Sequence, residues 1–171
     1  MKRMIWLIII ALIAMAIFVG CQKTSEQDTD DIDGGVRINN NYDAPKEIES
    51  TEIKSFYCEF SNLTMMNKDT FLKNRVYQLE ACLKDGIVQG SYKIYGGDES
   101  WEETFKTEAD FLTDVQKIVE EHKLAENNGL SYMVSGLPEQ FGAVLEVEYE
   151  SGERIYASHN QDNFLSIEVM E

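Results

Sequence analysis

Val144-Leu145-Glu146-Val147-Glu148-Tyr149-Glu150-Ser151-Gly152-Glu153-Arg154-Ile155-Tyr156-Ala157-Ser158 decides the fold class. Leu145, Val147 and Tyr149 fall on one face and Glu146, Glu148 and Glu150 on the other, the two-residue period of a half-buried strand. Ser151-Gly152 turns the chain, and Arg154 to Ser158 returns as its partner. Ile53 to Ser61 alternates in the same way, with Phe56, Cys58 and Phe60 inward. Arg75 to Lys84 follows, with Tyr77, Leu79, Ala81 and Leu83 inward and Gln78, Glu80, Cys82 and Lys84 outward. Asp85-Gly86 is a hairpin signal, and Val88, Tyr92 and Ile94 form the inward set of the next strand until Gly96-Gly97-Asp98. Trp101 to Thr107 is a short further strand, and Tyr132-Met133-Val134 has no decisive period.

One segment changes period. Phe111, Val115, Ile118 and His122 recur at helical spacing, with Leu112 and Val119 beside them. Thr107-Glu108-Ala109-Asp110 resembles a capping box, with Asp in the place of Glu, and Asn127-Asn128-Gly129 offers a stop. The spacing predicts one long amphipathic helix over 108–126. Phe164 to Glu171 is read as a helix start or an edge strand. The expectation is an α+β domain, an antiparallel sheet of about five or six strands with that helix on one face.

The chain has 171 residues and a net charge of −16, with 15 Lys+Arg against 31 Asp+Glu. Residues 47–171 alone carry 10 basic against 25 acidic side chains, so the acidity belongs to the domain. Such a surface excludes nucleic acid, whose binding needs a basic face, and argues against adhesion to anionic lipid by charge. With hydrophobic residues at 43%, the chain can build a core.

The first twenty residues read as an address. Met1-Lys2-Arg3 is a short positive region, and Met4 to Gly20 runs seventeen residues without a charge before Cys21. Phe18-Val19-Gly20-Cys21 resembles the lipobox of bacterial lipoproteins, with Phe18 where Leu is usual. The resemblance implies cleavage before Cys21 and attachment of lipid, palmitate included, at that residue. It also implies an extracytoplasmic location on the cell membrane. An uncleaved N-terminal anchor and a general secretory cut are the competing readings. The domains are then a signal peptide over 1–20, a disordered acidic tether over 21–46 and one α+β domain over 47–171. Tyr42-Asp43-Ala44-Pro45-Lys46, Phe56-Tyr57-Cys58-Glu59-Phe60 and Tyr149-Glu150-Ser151-Gly152-Glu153-Arg154 look like segments of uncharacterised lipoproteins of anaerobic Gram-positive bacteria. That group brings no activity or site residues with it.

Chemistry-bearing motifs are sparse. Asp31-x-Asp33-Gly34 resembles the middle of an EF-hand loop, but Thr29 and Asn40 stand where its first and twelfth ligands belong. A solvated acidic linker is the simpler reading. His122 and His159 have no zinc spacing; the first reads as a half-buried helix residue and the second as a solvated loop residue. Cys58 and Cys82 lie on opposite faces by strand parity, so both are expected free unless a bulge intervenes. No nucleophile elbow, P-loop or dinucleotide fingerprint occurs, and no metal or cofactor is expected. With this many acids some pair always exists, so a glycosidase-like carboxylate pair is neither indicated nor excluded.

Trp101, flanked by Asp98-Glu99 and Glu102-Glu103, is the candidate surface anchor, suited to a cationic or sugar partner. The simpler account places it at the core edge. The expected function is a non-enzymatic binding module of the cell envelope, tethered through lipid on Cys21, with an envelope protein or glycan as partner. The alternative is a carboxylate-dependent hydrolase of envelope polysaccharide or peptide.

Overall fold

The structure, a computed structural model, describes residues 35–61, 75–96, 100–136 and 142–170. The leader 1–20, Cys21 and the Asp31-x-Asp33-Gly34 motif lie outside them. The strands are β1 (Gly35–Ile38), β2 (Ile53–Ser61), β3 (Val76–Lys84), β4 (Ile87–Tyr95), β5 (Trp101–Glu108), β6 (Ser131–Ser135), β7 (Ala143–Tyr149) and β8 (Arg154–His159). Helix α1 (Asp110–Glu121), a 3-10 turn (Leu124–Asn127) and a short helix α2 (Ile167–Met170) complete the described elements.

The eight strands form one sheet in the order β1-β6-β8-β7-β2-β3-β4-β5. β2 to β5 is a meander, and the β7–β8 hairpin docks on the other side of β2. The β3–β4 turn is Asp85-Gly86, both at positive φ (52° and 78°), the geometry a two-residue hairpin needs. Phe56 stands between Ala81 and Val147, and Cys58 between Leu79 and Leu145. α1 lays Leu112, Val115 and Val119 into the same buried cluster, which also holds Leu145, Val147, Ile155 and Ala157. Each large apolar side chain buried there contributes about 1.5–3 kcal/mol.

Edge strand β5 is seated by one close contact. Gly90 of β4 lies opposite Phe105, and a Cβ there would stand 2.5 Å from the Phe105 ring and 2.4 Å from the Glu80 carbonyl oxygen. Only glycine leaves room for that ring.

The expected architecture requires correction. Among the described residues the sheet has eight strands, not five or six, and there are two helices, not one. β1 falls in the stretch read as tether, and β6 is the segment without a period. β6 pairs parallel with β8, so the sheet is not wholly antiparallel. The chain read as one helix over 108–126 divides. β5 runs through Glu108, and Ala109 caps α1 with no side-chain bond, so no capping box forms. Lys123 then takes a left-handed φ of 51° and separates α1 from the 3-10 turn. The buried seam of α1 is Leu112, Val115, Gln116 and Val119, while Ile118 faces out.

The β2–β3 register is unbroken from Ser55–Cys82 to Ser61–Val76, so Cys58 and Cys82 do point to opposite faces. Cys58 is a free, buried thiol. Cys82 is disulfide-bonded, so the expectation of two free thiols fails for Cys82. Among the described residues no helix is long and apolar enough to cross a membrane.

Candidate functional site

Residues 39–46 run along the β6–β8 edge of the sheet and are fixed there by backbone and asparagine bonds. Asn39 N–H donates to the Ser131 carbonyl at 2.9 Å and Asn41 N–H to the Gly129 carbonyl at 2.8 Å. Asn40 Oδ1 accepts from Ser131 N–H at 2.8 Å. Asn41 Oδ1 accepts from Asp43 N–H at 3.1 Å, an Asx turn that swings the chain around.

Asn128 pins this segment to the sheet. Its Nδ2 donates to the Pro45 carbonyl at 2.8 Å and to the Arg154 carbonyl at 3.0 Å. Its Oδ1 accepts from Tyr156 N–H at 2.8 Å, and its backbone carbonyl accepts from Lys46 Nζ. The side chain is only 5% exposed, so these bonds replace those it would make with water.

The result is an open cleft of about 390 Å³ of mixed polar and apolar lining, with Asn39, Asn41, Asp43, Pro45, Asn128, Arg154 and Tyr156 around it. The Arg154 guanidinium lies 5.1 Å from the centre of the Tyr156 ring and pairs with Glu146 at 2.9 Å. The cleft therefore presents amide donors and acceptors, a phenol, a carboxylate and one guanidinium. Groups of this kind can hydrogen-bond a polar solute or an extended peptide.

Sheet register extends the site. Tyr156 lies opposite Glu146, and Glu146 opposite Tyr57, in one row on the face turned from α1. There the Tyr57 and Tyr95 hydroxyls both donate to Glu59 Oε2, each at 2.9 Å. Burial, then the charge and hydrogen bond of Glu59, push the Tyr57 phenol well above its ordinary value. Both phenols are thus donors that hold the carboxylate in place.

Trp101 is 48% exposed at the start of edge strand β5 and meets the Tyr92 ring edge-on at 5.5 Å. It and the cleft stand at opposite ends of the strand order, so the structure does not bring them together. His159 is not the solvated loop residue expected. It ends β8, stacks on Tyr132 at 4.3 Å, and its Nδ1 accepts from the backbone N–H groups of Gln161 and Asp162. His122 is half-buried just past α1.

Among the described residues two carboxyls have clearly displaced titrations, and both move down. Glu153 is lowered by bonds from Ser50 and the Glu49 N–H, and Glu168 by its own backbone N–H and Ser166. Among the described residues no group of three or more His, Cys, Asp or Glu is placed to hold a metal ion. Comparison with protein-family models, with curated proteins and with solved structures gives no match.

The asparagines of the cleft escaped the sequence reading. Asn39-Asn40-Asn41 resembled linker and Asn128 resembled a helix stop, because an amide that builds a site and one that faces water look alike in composition.

Proposed function

We propose that this chain is an extracytoplasmic lipoprotein, tethered to the cell membrane through Cys21, whose domain binds a polar component of the cell envelope in the cleft beside Asn128. One observation carries the binding role. The cleft is fixed bond by bond by Asn128, while the groups around it, Asp43, Arg154 and Tyr156, are open to a ligand. Such an arrangement is preorganised for recognition and holds no nucleophile activated by a base. The hydrolase alternative asks for a carboxyl kept protonated at neutral pH. Glu153 and Glu168 shift the opposite way.

Two measurements test the proposal. The intact mass of the chain extracted from its host's membranes should correspond to a start at lipidated Cys21. A mass of 19.6 kDa for the uncut chain would overturn the lipoprotein reading. A sulfur carrying diacylglycerol cannot also join a disulfide, so the same mass bears on the partner of Cys82. Soluble glycan and peptide fragments of the host wall should then shift the amide resonances of Asn39, Asn41 and Tyr156, and Arg154→Ala should weaken that response at least about tenfold. Resonances that ignore both classes of fragment would overturn the binding role.

A further inference from the structure

β5 ends the sheet with its outer edge unpaired among the described residues. It is eight residues long, and every side chain but Phe105 is exposed. About half of its backbone N–H and C=O groups point away from β4, a template for another strand. Natural edges usually carry charges that repel such a strand. Here the charges do the reverse in one register.

Two copies joined edge to edge by a two-fold axis run antiparallel. The axis maps each face of the sheet onto itself, so one residue must lie opposite its own copy. In Trp101-Glu102-Glu103-Thr104-Phe105-Lys106-Thr107-Glu108 there are few such registers. Centring on Glu102, Glu103 or Lys106 sets like charges on the axis. Centring on Phe105 sets Glu102 opposite Glu108, twice, and centring on Trp101 or Thr107 overlaps three strand residues at most. Centring on Thr104 sets Glu102 opposite Lys106 twice, Thr104 opposite Thr104, and Trp101 opposite Thr107, with no like-charge pair.

The neighbouring strand supports this register. Glu102 already pairs with Lys93 at 3.2 Å, and Gln89 stands beside Lys106. The partner's Lys106 would complete an alternating row of Lys93, Glu102 and Lys106, while the central Thr104 pair brings two hydroxyls together.

We propose that β5 is a homodimerisation edge, pairing antiparallel with β5 of a second copy about Thr104. The two sheets then become one of sixteen strands. Each chain carries a net charge of −16, so the copies repel at long range and association strengthens as salt screens that repulsion, until the Glu102–Lys106 pairs are screened in turn.

The experiment uses the full chain in nonionic detergent, with subunits counted by native mass spectrometry. The unaltered chain should be dimeric in native spectra at about 0.15 M salt, where the screening length is about 8 Å. Glu102→Lys and Lys106→Glu should each weaken dimerisation at least about tenfold by facing like charges. Mixing these two variants should restore a heterodimer, and the double exchange should restore the homodimer. Rescue by mixing shows that both variants are folded and that the apolar leader is not the source of association. On oxidation, Thr104→Cys should cross-link its two copies, whereas Thr107→Cys, about 20 Å from its own copy in this register, should not. A monomeric unaltered chain, single variants that dimerise as tightly as it does, or a mixture that stays monomeric would each overturn the proposal.

Discussion

The Tyr149 hydroxyl donates to Gln116 Oε1 at 3.0 Å, joining the last residue of β7 to the buried seam of α1. Gln116 Nε2 in turn donates to Glu120 at 2.8 Å. This bond explains why a glutamine occupies a buried helix position while Ile118 faces out: rotating the seam to bury Ile118 would leave the phenol without its acceptor.

Tyr149→Phe removes the donor and leaves Gln116 Oε1 buried. The cost is about 1–3 kcal/mol, read as a lower urea midpoint at unchanged slope. Pairing it with Gln116→Leu should cost less than the sum of the two single changes.

The same phenol sets an alkaline limit. Burial first, then the charges of Glu120 and Glu153, raise Tyr149 to about 12 from its ordinary 10.0. A group raised in the folded state contributes its full stability below the unfolded value and loses it as the pH climbs through the folded one. Between about pH 10 and 12 the chain should therefore lose of order 1–2 kcal/mol that Tyr149→Phe does not lose. Equal losses in both chains would contradict this.

Burial, then the Glu59 charge, pushes the Cys58 thiol up to about 12. A thiol reagent at pH 8 should leave it unmodified for as long as the domain stays folded and label it quickly in denaturant. Fast labelling of the native chain at Cys58 would contradict its place between Leu79 and Leu145.

Asn128→Ala strands Tyr156 N–H and the Pro45 and Arg154 carbonyls. Destabilisation of at least about 2 kcal/mol is expected, together with faster hydrogen exchange at Tyr156. Asn128→Asp keeps the acceptor for Tyr156 N–H but loses both donations, and should recover only part of the loss.

Gly90→Ala drives a methyl group into the Phe105 ring and the Glu80 carbonyl. The expected cost is about 1–3 kcal/mol, with early exchange of β5 amides as the strand lifts from β4.

Legibility in the sequence followed the source of each element's stability. β2, β3, β4, β7 and β8 carry alternating apolar residues and turn at Asp85-Gly86 and Ser151-Gly152, so alternation and turn chemistry announce them. β1 buries nothing: all four of its residues are exposed, and β6 holds it by pairing alone. No hydrophobic pattern can report such a strand. The division after α1 depends on a left-handed Lys123, a residue type with no preference for that geometry. Trp101 is half exposed, and the cleft depends on amides whose composition resembles linker.

The strand order has a mechanical consequence. A pull carried by the backbone into Gly35 loads β1, which meets the sheet through four residue pairs with β6 at the edge remote from β5. Under tension β1 and residues 39–44 would peel away first, because the β7–β2–β3 centre is joined by far longer ladders. Release as far as Ala44 frees ten residues, about 33 Å of extra reach. The Asn128 pin would then act as the catch that stops the rip from travelling into the core.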